Sequence, residues 1–140
     1  MKINFDVVVC TSYSMVTAVV RAPNGSILAW KTKLLLPSST LLGEAQACLT
    51  IVNLAMEKGW QFCLFEGDAK VVIDACCSIL STPWEIRDVV LEILSYAIYF
   101  TTWDLKFISR LGNEAAHHLA AMSYNLYCRG LDFSFNSFPG

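Results

Sequence analysis

Residues 62–76 read Phe62-Cys63-Leu64-Phe65-Glu66-Gly67-Asp68-Ala69-Lys70-Val71-Val72-Ile73-Asp74-Ala75-Cys76. The first four form a short continuous apolar run, the composition of a strand buried on both faces. Glu66-Gly67-Asp68 ends the run, and Val71, Val72, Ala75 and Cys76 follow at helical spacing. A buried strand feeding a helix is the building step of an α/β domain. Ligands of such domains collect at the carboxyl ends of the strands, which is where Asp68 stands.

Upstream, the chain reads as strands and then a helix. Ile3, Phe5, Val7 and Val9 alternate with Asn4, Asp6, Val8 and Cys10, a period of two. Met15 to Arg21 and Ile27 to Lys33 are two more β-prone runs, joined by Pro23-Asn24-Gly25. Asn-Gly between such runs signals a hairpin, because both residues tolerate positive φ. The domain therefore opens as a three-stranded antiparallel meander. Ala45, Cys48, Leu49, Val52, Ala55 and Met56 then repeat at helical spacing, with Thr40 expected as the cap and Gly59 as the stop.

Downstream, Thr82-Pro83-Trp84-Glu85 has the form of a helix start, with Thr as cap and Pro in the first turn. Its apolar stripe is Ile86, Val89, Val90, Ile93 and Ala97. Trp103 to Ile108 alternates as a last strand, and Asn113 caps a final helix carrying Ala116, Leu119 and Ala120. The order β-β-β-α-β-α-α-β-α predicts an α/β domain, a mixed sheet covered by helices.

Composition sets the outer bounds. A chain of 140 residues, 55 % hydrophobic and 16 % charged, is one globular domain and not a disordered segment. The longest strongly apolar stretch, Val89 to Trp103, contains Glu92, so no spanning helix and no membrane association are expected. Asp6 falls where a secretory signal would need its apolar run. The six cysteines include no C-x-x-C pair and lie mostly in apolar runs. Reduced core thiols in an intracellular, reducing compartment are the expectation. Ten Lys and Arg against twelve Asp and Glu give a net charge of −2, without a basic block that would attract phosphate by itself.

Three acids stand out as a set. Asp6 interrupts an apolar strand between Phe5 and Val7, where an unpaired buried carboxylate costs several kcal/mol. Glu44 lies in the first turns of a helix, beside its apolar stripe, where a helix dipole alone would account for it. Asp68 ends a buried strand, a position that also suits an ordinary helix cap. His117 and His118 lie on the final helix.

Four segments in this order resemble type 1 ribonuclease H domains, most closely the plant, retroelement-related group. Asn4-Phe5-Asp6 looks like their opening N-x-D, and Gly43-Glu44-Ala45-Gln46-Ala47 like their helix motif. Phe65-Glu66-Gly67-Asp68-Ala69 resembles their E-[GSA]-D-[SA] strand end. Arg110-Leu111-Gly112-Asn113-Glu114-Ala115-Ala116-His117-His118-Leu119-Ala120 is similar to their closing motif. The resemblance covers a core of about residues 2–127 and leaves 128–140 as a tail.

The resemblance implies a ribonuclease H-like fold, a five-stranded mixed sheet with helices on both faces and strand one at its centre. It implies that Asp6, Glu44 and Asp68 converge as metal ligands for Mg²⁺, with Mn²⁺ as a substitute, and that His117 completes the catalytic set. Two such ions about 3.5–4 Å apart activate water and neutralise the oxygens of a phosphodiester. Two Mg²⁺ would shift the net charge of −2 to +2, so part of the affinity for a polyanion would arrive with the metal. The implied activity is cleavage of the RNA strand of an RNA–DNA hybrid, read through 2′-hydroxyls.

Departures from the family pattern support an alternative. His117 stands where the family has its fourth acid, Val7-Val8-Val9 replaces the glycines after Asp6, and Ser78 to Pro83 lacks a basic insertion. The alternative is a catalytically weak or inactive module that binds nucleic acid or a protein partner, with Phe133, Phe135 and Phe138 as candidate contacts. No local motif sets a thiol beside a base, so a cysteine-nucleophile enzyme has no support.

Overall fold

The computed structural model describes residues 2–9, 14–21, 24, 26–36, 39–114, 116–118 and 121–122, with the backbone alone for 4–9 and 27–29. The elements are β1 (Lys2–Val9), β2 (Ser14–Arg21), β3 (Ile27–Leu35), α1 (Thr40–Glu57), β4 (Phe62–Gly67), α2 (Lys70–Cys77), α3 (Arg87–Ser95) and β5 (Thr102–Phe107). Short 3₁₀ turns at Ile79–Ser81, Trp84–Ile86 and Ala97–Tyr99 connect the later elements. Beyond β5, residues 114, 116–118 and 121–122 are helical.

The strand order is β3-β2-β1-β4-β5. β1 pairs antiparallel with β2 and parallel with β4, so the expected meander joins the βα half along the central strand. Parity along β1 assigns the two faces. Ile3 pairs with Val20 and Phe65, and all three belong to the buried cluster that α1 supplies with Ala45, Cys48, Ile51, Val52 and Ala55. Asp6 takes the opposite parity, paired with Thr17. β2 is buried from Ser14 to Val20 at every residue, so both faces of the sheet are covered there.

Phe65 anchors the core. Its ring meets Phe100 edge-on at 5.9 Å and Trp103 at 5.4 Å, which fixes α3's exit and β5 against β4. Full burial of such a side chain is worth about 1.5–3 kcal/mol, with about 0.5–1.5 more for each well-placed ring pair. Ile86, Val90 and Ile93 are fully buried, as the stripe predicts.

Element ends differ from expectation in instructive ways. Ser39, not Thr40, caps α1: its Oγ accepts the Leu42 N–H at 3.2 Å, leaving Thr40 as the first helical residue. Gly59 ends α1 at φ +72°, as expected. Thr82 caps nothing, because Pro83 is extended (ψ 137°) and the backbone first forms a 3₁₀ turn, so α3 begins only at Arg87. Phe62 is exposed where burial on both faces was expected, because it opens β4 at the end remote from Asp68. Asn24 accepts the Ser26 N–H at 3.0 Å in the β2–β3 turn, while Pro23 and Gly25 lie outside the described residues. The tail from 128 onward, with Phe133, Phe135 and Phe138, also lies outside them. Among the described residues, no helix is long and apolar enough to cross a membrane, and Cys48, Cys63, Cys76 and Cys77 are free thiols.

Candidate active site

The parallel β1–β4 register sets Asn4 level with Glu66 and Phe5 level with Gly67. One residue beyond the last of these pairs, β1 continues to Asp6 and β4 gives way to Asp68. The topology thus brings two sequence-distant acids to neighbouring strands near the carboxyl end of β4. The Asp6 side chain itself lies outside the described residues.

Asp68 is held between β4 and α2 and its side chain is only 9 % exposed. Its Oδ2 is shielded from solvent and accepts no aligned hydrogen bond among the described residues. The nearest cation is Arg110, whose Nε lies 3.1 Å from that oxygen. Most of the Arg110 side chain is in water, at 61 % exposure. The fold returns the segment after β5 to the end of β4, which brings Arg110 of the closing motif to Asp68. At its other end, Arg110 Nη1 lies 2.5 Å from His117 Nδ1 and 3.3 Å from Nε2. A guanidinium only donates, so the ring nitrogen facing it is the acceptor. Arg110 therefore links two residues of the expected set, Asp68 and His117.

Asn113, fully buried, shapes this segment. Its N–H donates to the Ser109 and Arg110 carbonyls, and its carbonyl accepts the His117 N–H at 3.1 Å, so it opens the helical turn that carries His117. His118 lies 3.4 Å from Glu114 on the exposed face of the helical turn.

Glu44 is half-buried near the start of α1. Cys48, one turn later, feels its charge. The Cys48 thiol is pushed well above the ordinary range, first by the hydrogen bond it gives Cys76, then by burial, with the charge of Glu44 adding to the effect. Among the described residues, no group of three His, Cys, Asp or Glu side chains is close enough to hold a metal. The described structure thus joins Asp68 to His117 through Arg110, places Asp6 on the neighbouring strand and sets Glu44 on the neighbouring helix.

A further acid escaped the sequence reading. Glu66 is 4 % exposed and faces Lys2 Nζ at 3.1 Å. The signal was its parity: it is the position on β4 that pairs with Asn4 of the motif strand. Its lysine partner marks it as a structural ion pair.

A divalent ion's fit can be judged from the donors. A carboxylate oxygen buried without a hydrogen bond is a hard, under-coordinated donor, the type Mg²⁺ and Mn²⁺ take. Asp68 meets that requirement, and a second acid on the neighbouring strand suits it. The donor chemistry fits.

The overall architecture is shared with solved structures. Ribonuclease H1 from the archaeon Halobacterium salinarum superposes with a TM-score of 0.80 at 19 % identity, covering 89 % of this chain and 96 % of its own. The amino-terminal ribonuclease H domain of a Mycobacterium tuberculosis protein gives 0.74 at 15 % identity, covering 92 % and 97 %. LC11 ribonuclease H1, solved with an RNA/DNA hybrid, gives 0.72 at 12 % identity, covering 84 % and 91 %. No curated protein matches in sequence. The profile of one family, described as reverse transcriptase-like, matches residues 4–123. With the five-stranded sheet and this match over most of its length, the chain belongs to the reverse transcriptase-like family, built on the ribonuclease H fold.

Proposed function

We propose that this protein is a metal-dependent endonuclease that hydrolyses the RNA strand of RNA–DNA hybrids. The observation that carries the reading is Asp68: a solvent-shielded carboxylate oxygen just past the carboxyl end of β4, beside the central strand that carries Asp6. The LC11 enzyme and a foamy viral protease–reverse transcriptase were solved with an RNA/DNA hybrid, and the latter also with double-stranded DNA, which supports nucleic acid as the partner.

In this reading Asp6, Glu44 and Asp68 hold Mg²⁺, with Mn²⁺ as a substitute. When bound, the metal supplies charge neutralisation at a phosphodiester and an activated water. The protein's own part is positional. Asp68 is fixed by the end of β4, and Asp6 by its pairing with Thr17 of β2. Glu44 comes in from α1, whose start is locked by the Ser39 cap. His117 sits on the turn opened by Asn113, with both ring nitrogens within 3.3 Å of Arg110 Nη1.

The test is cleavage of a labelled hybrid by the folded chain in Mg²⁺ or Mn²⁺. Cleavage that falls at least about a hundredfold in Asp68→Asn supports the assignment. A folded parent that cuts nothing in either ion overturns it.

One observation favours a second reading, a ribonuclease H-like module without turnover. Asp68 already faces Arg110, and a histidine that the same arginine engages takes the place of the fourth family acid. Hybrid binding that survives Asp6→Asn with Asp68→Asn, from a parent without turnover, would select this reading.

A further inference from the structure

We propose that Arg110 is a resident counter-cation for Asp68, a positioning residue that holds this carboxylate while no divalent ion is bound and that a divalent ion must displace. The inference rests on the reading of Asp68 as a metal ligand.

Four observations carry it. Asp68 Oδ2 is closed to water and accepts no aligned hydrogen bond among the described residues, so its charge needs a cation nearby. Arg110 Nε supplies one at 3.1 Å, on the oxygen with which a metal would have to bond. The misalignment makes this a charge contact and not the two-pronged fork that gives arginine–carboxylate pairs their strength. The arginine side chain is 61 % exposed, so it can move off without opening a hole in the core.

The His117 ring meanwhile bears on the far end of the guanidinium and helps keep it at the site. A divalent ion and a guanidinium cannot both sit against one carboxylate oxygen without strong mutual repulsion. The two cations therefore exchange, and the apparent metal affinity carries the cost of removing Arg110.

Calorimetric titration of Mn²⁺ into the full chain tests this, using the parent, Arg110→Gln, Arg110→Lys and Asp68→Asn. The expected result is about three- to tenfold tighter binding by Arg110→Gln, as befits loss of a half-exposed competing charge. Arg110→Lys, which restores the charge, should return toward the parent, and Asp68→Asn should bind far more weakly than any of them. Melting in chelator adds a second measure: Arg110→Gln should unfold at lower temperature than the parent, and Mn²⁺ should raise its midpoint by more.

Equal or weaker Mn²⁺ binding by Arg110→Gln overturns the proposal and leaves the metal site intact. Absence of Mn²⁺ binding in every folded variant, or undiminished binding by Asp68→Asn, overturns the proposal together with the metal-site reading.

Discussion

Glu66 and Asp68 stand two positions apart on the same stretch of chain, and different cations neutralise them. Glu66, 4 % exposed, faces Lys2 across the parallel β1–β4 pair; Asp68 faces Arg110 from beyond β5. Removing the lysine tests how far Glu66 depends on it. Lys2→Met should cost about 1–2 kcal/mol, less than the 3–5 kcal/mol of a fully buried pair because Lys2 is half in water. Adding Glu66→Gln should restore most of the loss, read from urea midpoints. Asp68 stood out in the sequence from its place just past a buried strand and from the resemblance of Phe65-Glu66-Gly67-Asp68-Ala69 to the family's strand-end motif. Its contact with Arg110 was not legible, since it joins β4 to a segment beyond β5, and such contacts leave no periodic trace.

Helix ends show where local rules succeed and where the chain overrides them. The stripes of α1 and α3 were readable because burial follows the helical period whatever the boundary. The caps were less so. Ser39 and Thr40 are both competent, and the choice of Ser39 also lets its Oγ donate to Glu85 at 3.1 Å, tying α1 to the turn before α3. Thr82 carried every local feature of a cap, yet Pro83 holds an extended ψ and the Thr82 Oγ1 is buried without a hydrogen-bond partner among the described residues. Mutation separates the two cases. Ser39→Ala should cost about 1 kcal/mol or somewhat more, the usual worth of a cap plus a weak tie to Glu85. Thr82→Val, which keeps shape and removes an unmet hydroxyl, should be neutral or stabilising. Thermal midpoints should fall for Ser39→Ala and hold or rise for Thr82→Val, whereas the sequence reading assigned a cap to Thr82 and none to Ser39.

At the scale of the whole molecule, a core this rich in thiols makes stability depend on alkaline pH. Burial raises Cys63 from its ordinary value of 9.0. Cys48 is raised well above 9.0 by its hydrogen bond to Cys76 and by burial, while Cys76, receiving that hydrogen bond, is lowered. Raised groups stabilise the fold fully below the unfolded value and lose that contribution as pH climbs through the folded one. Cys76 has the opposite sign, its contribution appearing as pH rises toward 9.0. Above that point the folded chain keeps protons at Cys48 and Cys63 that the unfolded chain has shed. Each held proton then costs about 1.4 kcal/mol per pH unit. The unfolding free energy should therefore be nearly flat up to about pH 8.5 and fall beyond pH 9. Cys48→Ala should be less stable at pH 7, through lost packing, yet show a shallower alkaline fall, because one held proton is gone. Comparing variant with parent in urea titrations from pH 7 to 10 cancels the titrating groups that Cys48 does not touch and leaves Cys48 and its partner Cys76 in the difference. A fall of equal steepness in both would mean that the Cys48 thiol is not what holds the proton.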